Sequence, residues 1–466
     1  MNAFLFLLAL AQAIGGQVDT PKAPPPRVKD MSAPPAIGLP GPDAAPPIGL
    51  DQPLSADEAA KIALHLQPTL AAARGNVASA QGRTNQIRSN LLPQVAVGAG
   101  YDNLQSASGY GALPTQSPTG FLLPTVSPVD TLSGALQVKQ LLYDFNQTRN
   151  LVRQSKANER VAINDLNQAQ STLVYNVKND YYLFAYAERL VDVNQQNLAN
   201  RQRQLDLAVS RMDNGIGLPS DVVTAETSKS QAILQLNVAR DTSEQAEVAL
   251  LAEMGVDPLT PIVVNPTEER LYNVDSPKPL LRTALKRRPE IKAAEQAVLA
   301  SRFGLSASKA VDLPSLYAGV AAGTRGEDFP LDDSTLSLQL GIQIPLYDGG
   351  LRSGSIQFSK GQVTVAESQL QSAILTVRQD VAGAFLALKS AEQRVTIANN
   401  EADNAGEGVR IAEGRYRSGL GLFLDITTAQ GLLLGALTDQ DQAEQALMLA
   451  RTRVRYATGE NLDLVR

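Results

Sequence analysis

Two stretches of the chain place a large apolar residue at every seventh position. Val177, Phe184, Val191, Leu198, Leu205 and Met212 form one column, and Ile374, Val381, Leu388, Val395, Ala402, Val409 and Tyr416 form another. A strict seven-residue period underwinds a helix to about 3.5 residues per turn and commits it to left-handed coiling with a neighbour. From Asp144 to Met212 there is neither proline nor glycine, so a single helix of ~100 Å is expected at ~1.5 Å per residue. Downstream, alanine takes over the same spacing at Ala225, Ala232, Ala239 and Ala246, and at Ala429, Ala436, Ala443, Ala450 and Ala457. Large residues facing alanines predict two close antiparallel helix pairs.

Elsewhere the period changes from seven to two. In "TLSLQLGIQIPLY", Leu336, Leu338, Leu340, Ile342, Ile344 and Leu346 share one face, while Ser337, Gln339, Gly341 and Gln343 take the other. Leu132, Leu136, Val138 and Leu142 give a weaker version, and Val95, Val97, Ala99 and Tyr101 with Leu316, Ala318 and Val320 supply partner strands. Strands of about ten residues, apolar on one side and polar on the other, suit a lipid-facing barrel with a wet lumen. Tyr143 and Tyr347 are expected to end their strands as membrane-interface aromatics. The alternative is two ordinary hairpins on a soluble core. Four strands cannot close a barrel alone, so the barrel reading requires several copies.

The two sets of elements are one unit written twice. "RMDNGIGLPSD" from Arg211 answers "RYRSGLGLFLD" from Arg415, and "LLYDFNQTR" answers "PLYDGGLRS", both at an offset of 204. Pro68 pairs with Pro289, and Pro93 with Pro314, at 221. The first copy therefore carries 17 extra residues between Gly98 and Tyr143, in a Gly/Pro/Ser-rich loop where insertion costs little. The first repeat is expected over 54–255: one helix of about 35 residues, a β-hairpin at 92–143, a long helix at 144–212, a turn at 213–220 and a helix at 221–255. A Pro-rich linker occupies 256–279. The second repeat, 280–457, has its hairpin at 314–346, long helix at 347–416, turn at 417–424 and helix at 425–457, before a tail at 458–466. The fold class is mainly α with a small β part.

Composition narrows the function. Aromatics are 5% of the 466 residues, Trp and Cys are absent, and net charge is −6 with both signs interspersed. No disulfide or thiolate site is possible, and no basic cluster points to nucleic acid. The first 16 residues resemble a secretory signal, with an apolar run from Phe4 to Leu10 and small residues at Ala11 and Ala13, although the usual basic start is missing. Residues 17–53 form a Pro-rich leader expected to be extended and disordered. There is no P-loop, Gly-x-Ser-x-Gly elbow or dinucleotide fingerprint. The one histidine, His65, lacks a second ligand, and Tyr181, Tyr182, Phe184 and Tyr186 read as packing. An enzyme is not expected, nor is a cofactor or metal.

The order helix, hairpin, long helix, Gly-marked turn, helix, written twice, resembles the TolC family of outer-membrane efflux proteins. "PLYDGGLRSGSI" and the two turn motifs carry the resemblance, which covers about Leu54 to Leu464. It implies a homotrimer whose strands form a 12-stranded outer-membrane barrel continued by a periplasmic α-helical barrel. That assembly is a passive duct in the outer membrane of a Gram-negative bacterium. Its partners would be a periplasmic adaptor and an inner-membrane pump of RND, ABC or MFS type. The tip residues Gly215, Ile216, Gly217, Leu218, Gly419, Leu420, Gly421 and Leu422 are then adaptor-contact candidates, the four glycines allowing positive φ. A Tyr416–Asp221 hydrogen bond and Asp425 at the constriction are implied for the gate. Some family members carry a second acidic residue one turn beyond, where this chain has Thr428, so a double acidic ring is not expected. Arg211 and Arg415 either pair with carboxylates or are solvated. A type I protein-secretion duct and a non-conducting structural coiled coil are the alternatives.

Overall fold

The computed structural model describes residues 53–104, 129–265, 272, 276–326, 331 and 333–464. The signal, nearly all of the Pro-rich leader, most of the 17-residue insertion region and part of the inter-repeat linker lie outside these. In chain order the elements are α1 (Ala56–Leu66), α2 (Pro68–Ser89), β1 (Gln94–Leu104), β2 (Val129–Tyr143), α3 (Gln147–Asp213) and α4 (Pro219–Met254). The second repeat supplies α5 (Lys278–Arg287), α6 (Pro289–Ser308), β3 (Ser315–Gly326), β4 (Asp333–Gln343), α7 (Leu351–Arg417) and α8 (Phe423–Thr458), then a 3-10 turn at Glu460–Leu464. Helix dominates, and the strands form one small sheet.

The helix expected to open each repeat as one piece is two. Gln67 and Arg288 sit at ψ 119° and 124°, out of the helical region, and each precedes a proline. The proline ring excludes the α conformation from the residue before it, so α1 and α5 stop and α2 and α6 start afresh.

One unit holds the sheet with its adjoining helix ends, Ala80–Glu159 and Leu299–Val365. The strands are antiparallel in the order β1-β2-β3-β4, with β2 and β3 joining the hairpins of the two repeats. Register places Val95, Val138, Val320 and Leu338 in one cross-strand row, and Val97, Leu136, Ala322 and Leu336 in another. The row between them carries Gln137, Ala321 and Ser337, and the row beyond Val138 carries Lys139, Gly319 and Gln339. The apolar rows are largely open: Leu336, Leu338, Leu340 and Ile342 are all exposed. β4 ends at Gln343, short of the expected 346, because Pro345 has no N–H to pair. Tyr347 therefore stands outside the strand, whereas Tyr143 ends β2. Each long helix starts on an aspartate. Asp144 Oδ2 accepts the Thr148 N–H at 2.6 Å, and Asp348 accepts those of Gly350 at 2.9 Å and Arg352 at 2.6 Å.

The other unit, residues 160–298 and 366–464 with the described part before Ser79, contains two matched cores. Val177, Phe184 and Leu250 anchor the first, packed on Ala59, Ile62 and Ala63 of α1. Val381, Leu388 and Val454, their equivalents at 204, anchor the second with Ala450, Ala457 and Ala284. The facing alanines are buried at Ala225, Ala232, Ala239, Ala436, Ala443, Ala450 and Ala457, so heptad residues of the long helix meet alanine on the returning one.

Candidate functional site

The repeated motifs form the turns between α3 and α4 and between α7 and α8. Both long helices end in one backbone arrangement. Gly215 N–H donates to Met212 O at 2.9 Å and Ile216 N–H to Arg211 O at 3.0 Å; Gly419 donates to Tyr416 O at 3.0 Å and Leu420 to Arg415 O at 2.8 Å. This is a Schellman closure, which needs a left-handed residue. Gly215 (φ 75°) and Gly419 (φ 76°) provide it.

Gly217 and Gly421 were expected to share that role and do not; neither has positive φ. They are small for another reason. A Cβ on Gly217 would lie 2.6 Å from Met212 N and 2.8 Å from Arg211 C, and one on Gly421 would lie 3.0 Å from Arg415 Cβ. The turn folds back onto the end of its own helix, leaving no room for a methyl group. Ile216, Leu218, Leu420 and Leu422 all project from these turns as exposed side chains.

Leu218 and Leu422 occupy extended N-cap positions and have no side-chain acceptor to offer. An aspartate stands three residues on in each repeat, with a different partner in each. Asp425 Oδ2 accepts the Leu422 N–H at 3.1 Å, satisfying the helix start, and the residue is exposed. Asp221 instead accepts the Tyr416 hydroxyl at 3.1 Å, linking the two hairpins. Tyr416 is buried among Ala208, Ala225, Ala412, Phe423 and Ile426, with Phe423 edge-on at 5.6 Å. Burial first, then the Asp221 charge and hydrogen bond, raise the Tyr416 hydroxyl above its ordinary pKa. It remains a donor across physiological pH.

Among the described residues, Arg211 pairs with no carboxylate. Its Nη1 donates to the Tyr416 carbonyl at 2.7 Å, and its guanidinium lies 4.6 Å from the Tyr416 ring centroid. The last carbonyls of a helix carry partial negative charge and lack intrahelical donors, so they compete well for a guanidinium. Arg415 is exposed, and among the described residues it forms no ion pair. Thus Asp221, Tyr416 and Arg211 form one connected group; Asp425 and Arg415 stand apart from it.

Sequence reasoning overlooked Phe423 and Ile426, which wall Tyr416, because they lie beside a heptad column rather than in it. It also overlooked Phe145 (φ 51°) and Asn146 (φ 65°), the left-handed pair between β2 and α3. Their partners at 204, Gly349 and Gly350, were the available signal. Phe145 rests on Tyr143, ring centroids 4.9 Å apart.

The sequence profile described as "Outer membrane efflux protein" matches residues 59–256 and 280–460. The outer membrane efflux protein BepC of Brucella suis is 29% identical over 333 residues, covering 70% of this chain and 71% of its own. The outer membrane protein TolC of Escherichia coli is 23% identical over 402 residues, covering 81% and 76%. The crystal structure of the CmeC outer membrane channel of Campylobacter jejuni superposes with a TM-score of 0.75 at 18% identity, covering 87% of this chain and 86% of that one.

Proposed function

Because this chain belongs to the outer membrane efflux protein family, we propose that it is the passive exit duct of a tripartite pump, gated at its hairpin tips. The membership itself makes the protein an outer-membrane efflux channel with a long periplasmic helical portion, in a family of channels rather than enzymes. Members of the family work as trimers with a periplasmic adaptor and an inner-membrane pump. The finer reading concerns this chain's own residues. Three copies contribute four strands each to a 12-stranded barrel, and Tyr143, Tyr347 and Phe145 lie at its lipid interface.

The sheet carries this reading. Among the described residues β1 and β4 each pair on one side only, and the apolar rows they share are largely exposed. An open apolar sheet with two free edges is unfavourable in water and in lipid alike, and closure with further copies removes both costs. At the tips, the Arg211–Tyr416–Asp221 group holds the two hairpins of one protomer together and keeps the duct shut. Asp425, free of that group, lines the constriction as a threefold carboxylate ring favouring cations. Exposed Ile216, Leu218, Leu420 and Leu422 form the adaptor contact.

Planar-bilayer recording tests the gate. Asp221→Ala with Tyr416→Phe removes the link while keeping the ring that packs on Arg211 and Phe423. Conductance should rise several-fold over the closed wild type, because a hydrogen bond to a charged acceptor contributes about 1.5–3 kcal/mol per protomer. Unchanged conductance in a protein that still inserts would remove the pair from the gate.

A further inference from the structure

The helix ends that adjoin the sheet carry a charge opposite to that of the chain as a whole, whose net charge is −6. The helical residues of the sheet unit, at 80–89, 147–159, 299–308 and 351–365, hold two, three, one and two Lys or Arg in turn, against a single carboxylate, Glu159. The three on α3 are Arg149, Arg153 and Lys156, spaced i, i+4, i+7 and therefore on one helix face. All three are exposed. Arg149 Nη1 donates to Asn146 Oδ1 at 3.3 Å, and the Arg153 guanidinium lies 5.9 Å from the Phe303 ring centroid, so the contacts they make are with neutral groups. At 204 the same positions on α7 are Ser353, Gln357 and Lys360, so the full stripe is written once.

The stripe faces the same side as the apolar rows of the sheet. A Cβ on Gly319 would lie 3.6 Å from Val138 O, and one on Gly323 would lie 3.1 Å from Gly134 O, so the even-numbered residues of β2 turn their carbonyls toward β3. Leu136 and Val138, in the apolar rows, belong to that set. For L-residues this fixes the hand: seen from the apolar side with the helices below, β1 to β4 run from right to left. The helices follow in the same order. Thr84 Oγ1 of α2 lies 3.1 Å from Ser155 Oγ of α3, a Cβ on Gly304 of α6 would lie 2.9 Å from Gln154 Nε2 of α3, and Ser308 Oγ of α6 lies 2.6 Å from Ser359 Oγ of α7. With Ser155 turned to the right and Gln154 to the left, the right-handed winding of the descending α3 brings Arg149, Arg153 and Lys156 to the front.

We infer that Arg149, Arg153 and Lys156 form a docking surface for the headgroups of anionic phospholipids in the periplasmic leaflet, one patch to each protomer. The inference rests on the duct reading above, which sets the apolar rows in lipid, and says what lies against the helices where the hydrocarbon ends. Continuity with the apolar face supports it. Arg149 is tied to Asn146, and the neighbouring Phe145 rests on Tyr143, so the stripe begins where the interface aromatics stop. At ~1.5 Å per residue, Arg149 to Lys156 lie about 3 to 14 Å below the start of α3. The headgroup layer beyond the hydrocarbon is about 5–8 Å deep. Arg149 and Arg153 stand at that depth, and the long stem of Lys156 spans the remainder.

Charge complementarity selects the lipid. Three cations on one helix face repel one another, and an anionic surface offsets that cost. Each guanidinium can hold a phosphate through two parallel N–H donors. A zwitterionic headgroup brings its own ammonium and competes with the stripe, whereas phosphatidylglycerol brings only the phosphate charge. The preference is electrostatic and exposed, so it fades as salt shortens the screening length.

Full-length protein in detergent is titrated with tail-labelled phosphatidylglycerol and, separately, tail-labelled phosphatidylcholine, with binding read by fluorescence anisotropy. Wild type should bind phosphatidylglycerol about five-fold more tightly at low salt and lose the preference in about 1 M NaCl, where the screening length is about 3 Å. The triple variant Arg149→Gln, Arg153→Gln, Lys156→Gln should bind the two lipids alike. A control triple, Arg282→Gln, Arg378→Gln, Arg394→Gln, removes the same charge at exposed residues of the other unit and should keep the preference. Both triples should give channels of wild-type conductance in phosphatidylcholine bilayers, which establishes that they fold and insert. A preference that survives in the stripe triple, or falls equally in the control, overturns the site. So does sedimentation with purified peptidoglycan that the stripe triple abolishes while lipid preference is absent, since the occupant is then the cell-wall polymer. A conducting wild type with no lipid preference overturns the site and leaves the duct reading intact, whereas a wild type that forms no channels overturns both.

Discussion

The two repeats build the same joint and fasten it differently. In each, the returning helix ends against the proline break of the first helix. Gly255 (φ 73°) and Gly459 (φ 76°) close α4 and α8 and lie 204 apart. A Cβ on Gly255 would sit 3.1 Å from Gln67 Cα, and one on Gly459 would sit 3.1 Å from Arg287 Cβ. The break residues themselves correspond at 221. Gln67 Nε2 donates to Glu253 O at 2.9 Å, whereas Arg288 Nη1 donates to Tyr456 O at 3.2 Å. Both satisfy carbonyls left over at a helix C-terminus. Arg288 also stacks on Tyr456 and bonds Glu290 and Asp380, the last at 3.0 Å. The lesson is that backbone geometry was held fixed while the charge at the joint was free to diverge.

Removing the break residues should separate the two joints most. Arg288→Ala leaves Glu290, Asp380 and a helix-end carbonyl without their cation. Since Asp380 is partly exposed, a loss of about 2 kcal/mol is expected rather than the full 3–5 for a buried pair. Gln67→Ala should lose about 1 kcal/mol. Thermal unfolding followed by circular dichroism in detergent measures both, and equal losses would erase the distinction. Gly255→Ala and Gly459→Ala should each lose about 1 kcal/mol, alike in both repeats, since each forces a β-carbon into a left-handed, crowded site. A marked difference between those two would show that the joints are not geometrically equivalent.

Lys178, whose equivalent at 204 is Ala382, gives a pH test with no counterpart in the second repeat. It is 1% exposed and pairs with Asp57, which also meets Arg455 at 3.3 Å. Burial pushes the Asp57 carboxyl up, but the Lys178 hydrogen bond and charge, with Arg455, outweigh it and hold the carboxyl below its ordinary value. A carboxyl depressed in the folded state stabilises above its unfolded pKa, and that contribution is lost as pH falls through the folded one. Wild type should therefore lose this increment below about pH 4. Lys178→Met should change neutral stability by less than about 1 kcal/mol, because the joint keeps Arg455, and should flatten the acid limb. An unaltered acid limb would detach Asp57 from Lys178. The smallest effect is expected at Phe145→Gly, which relieves a strained φ that the second repeat meets with Gly349. A gain of at most about 1 kcal/mol is expected, and a loss would mean that the Phe145–Tyr143 contact outweighs the strain.

What the sequence disclosed was whatever repeats. The heptad columns, the alanine columns and the offsets 204 and 221 were enough to order the elements, because period and duplication are properties of the string itself. The Tyr416–Asp221 bond was reached only through family resemblance. Arg211's choice of a carbonyl was hidden, since every helix end offers the same acceptors and no residue type marks the one taken. The break at Pro68 was open to reading, but the proline served as a landmark for the repeat instead of a stop. Lys178 was invisible for a related reason: a lysine in a helix is ordinarily solvated, and its burial depends on Asp57, which is far away in the chain.

One consequence follows from how the sheet is stitched. Strands β2 and β3 belong to different repeats, yet their backbones are paired from Leu132 with Gly326 to Tyr143 with Leu316. Peptide continuity between the halves thus duplicates a bond the ladder already makes. A nick in the connecting segment would cut the polymer without parting the fold, and two half-length polypeptides translated separately would find each other along that zipper.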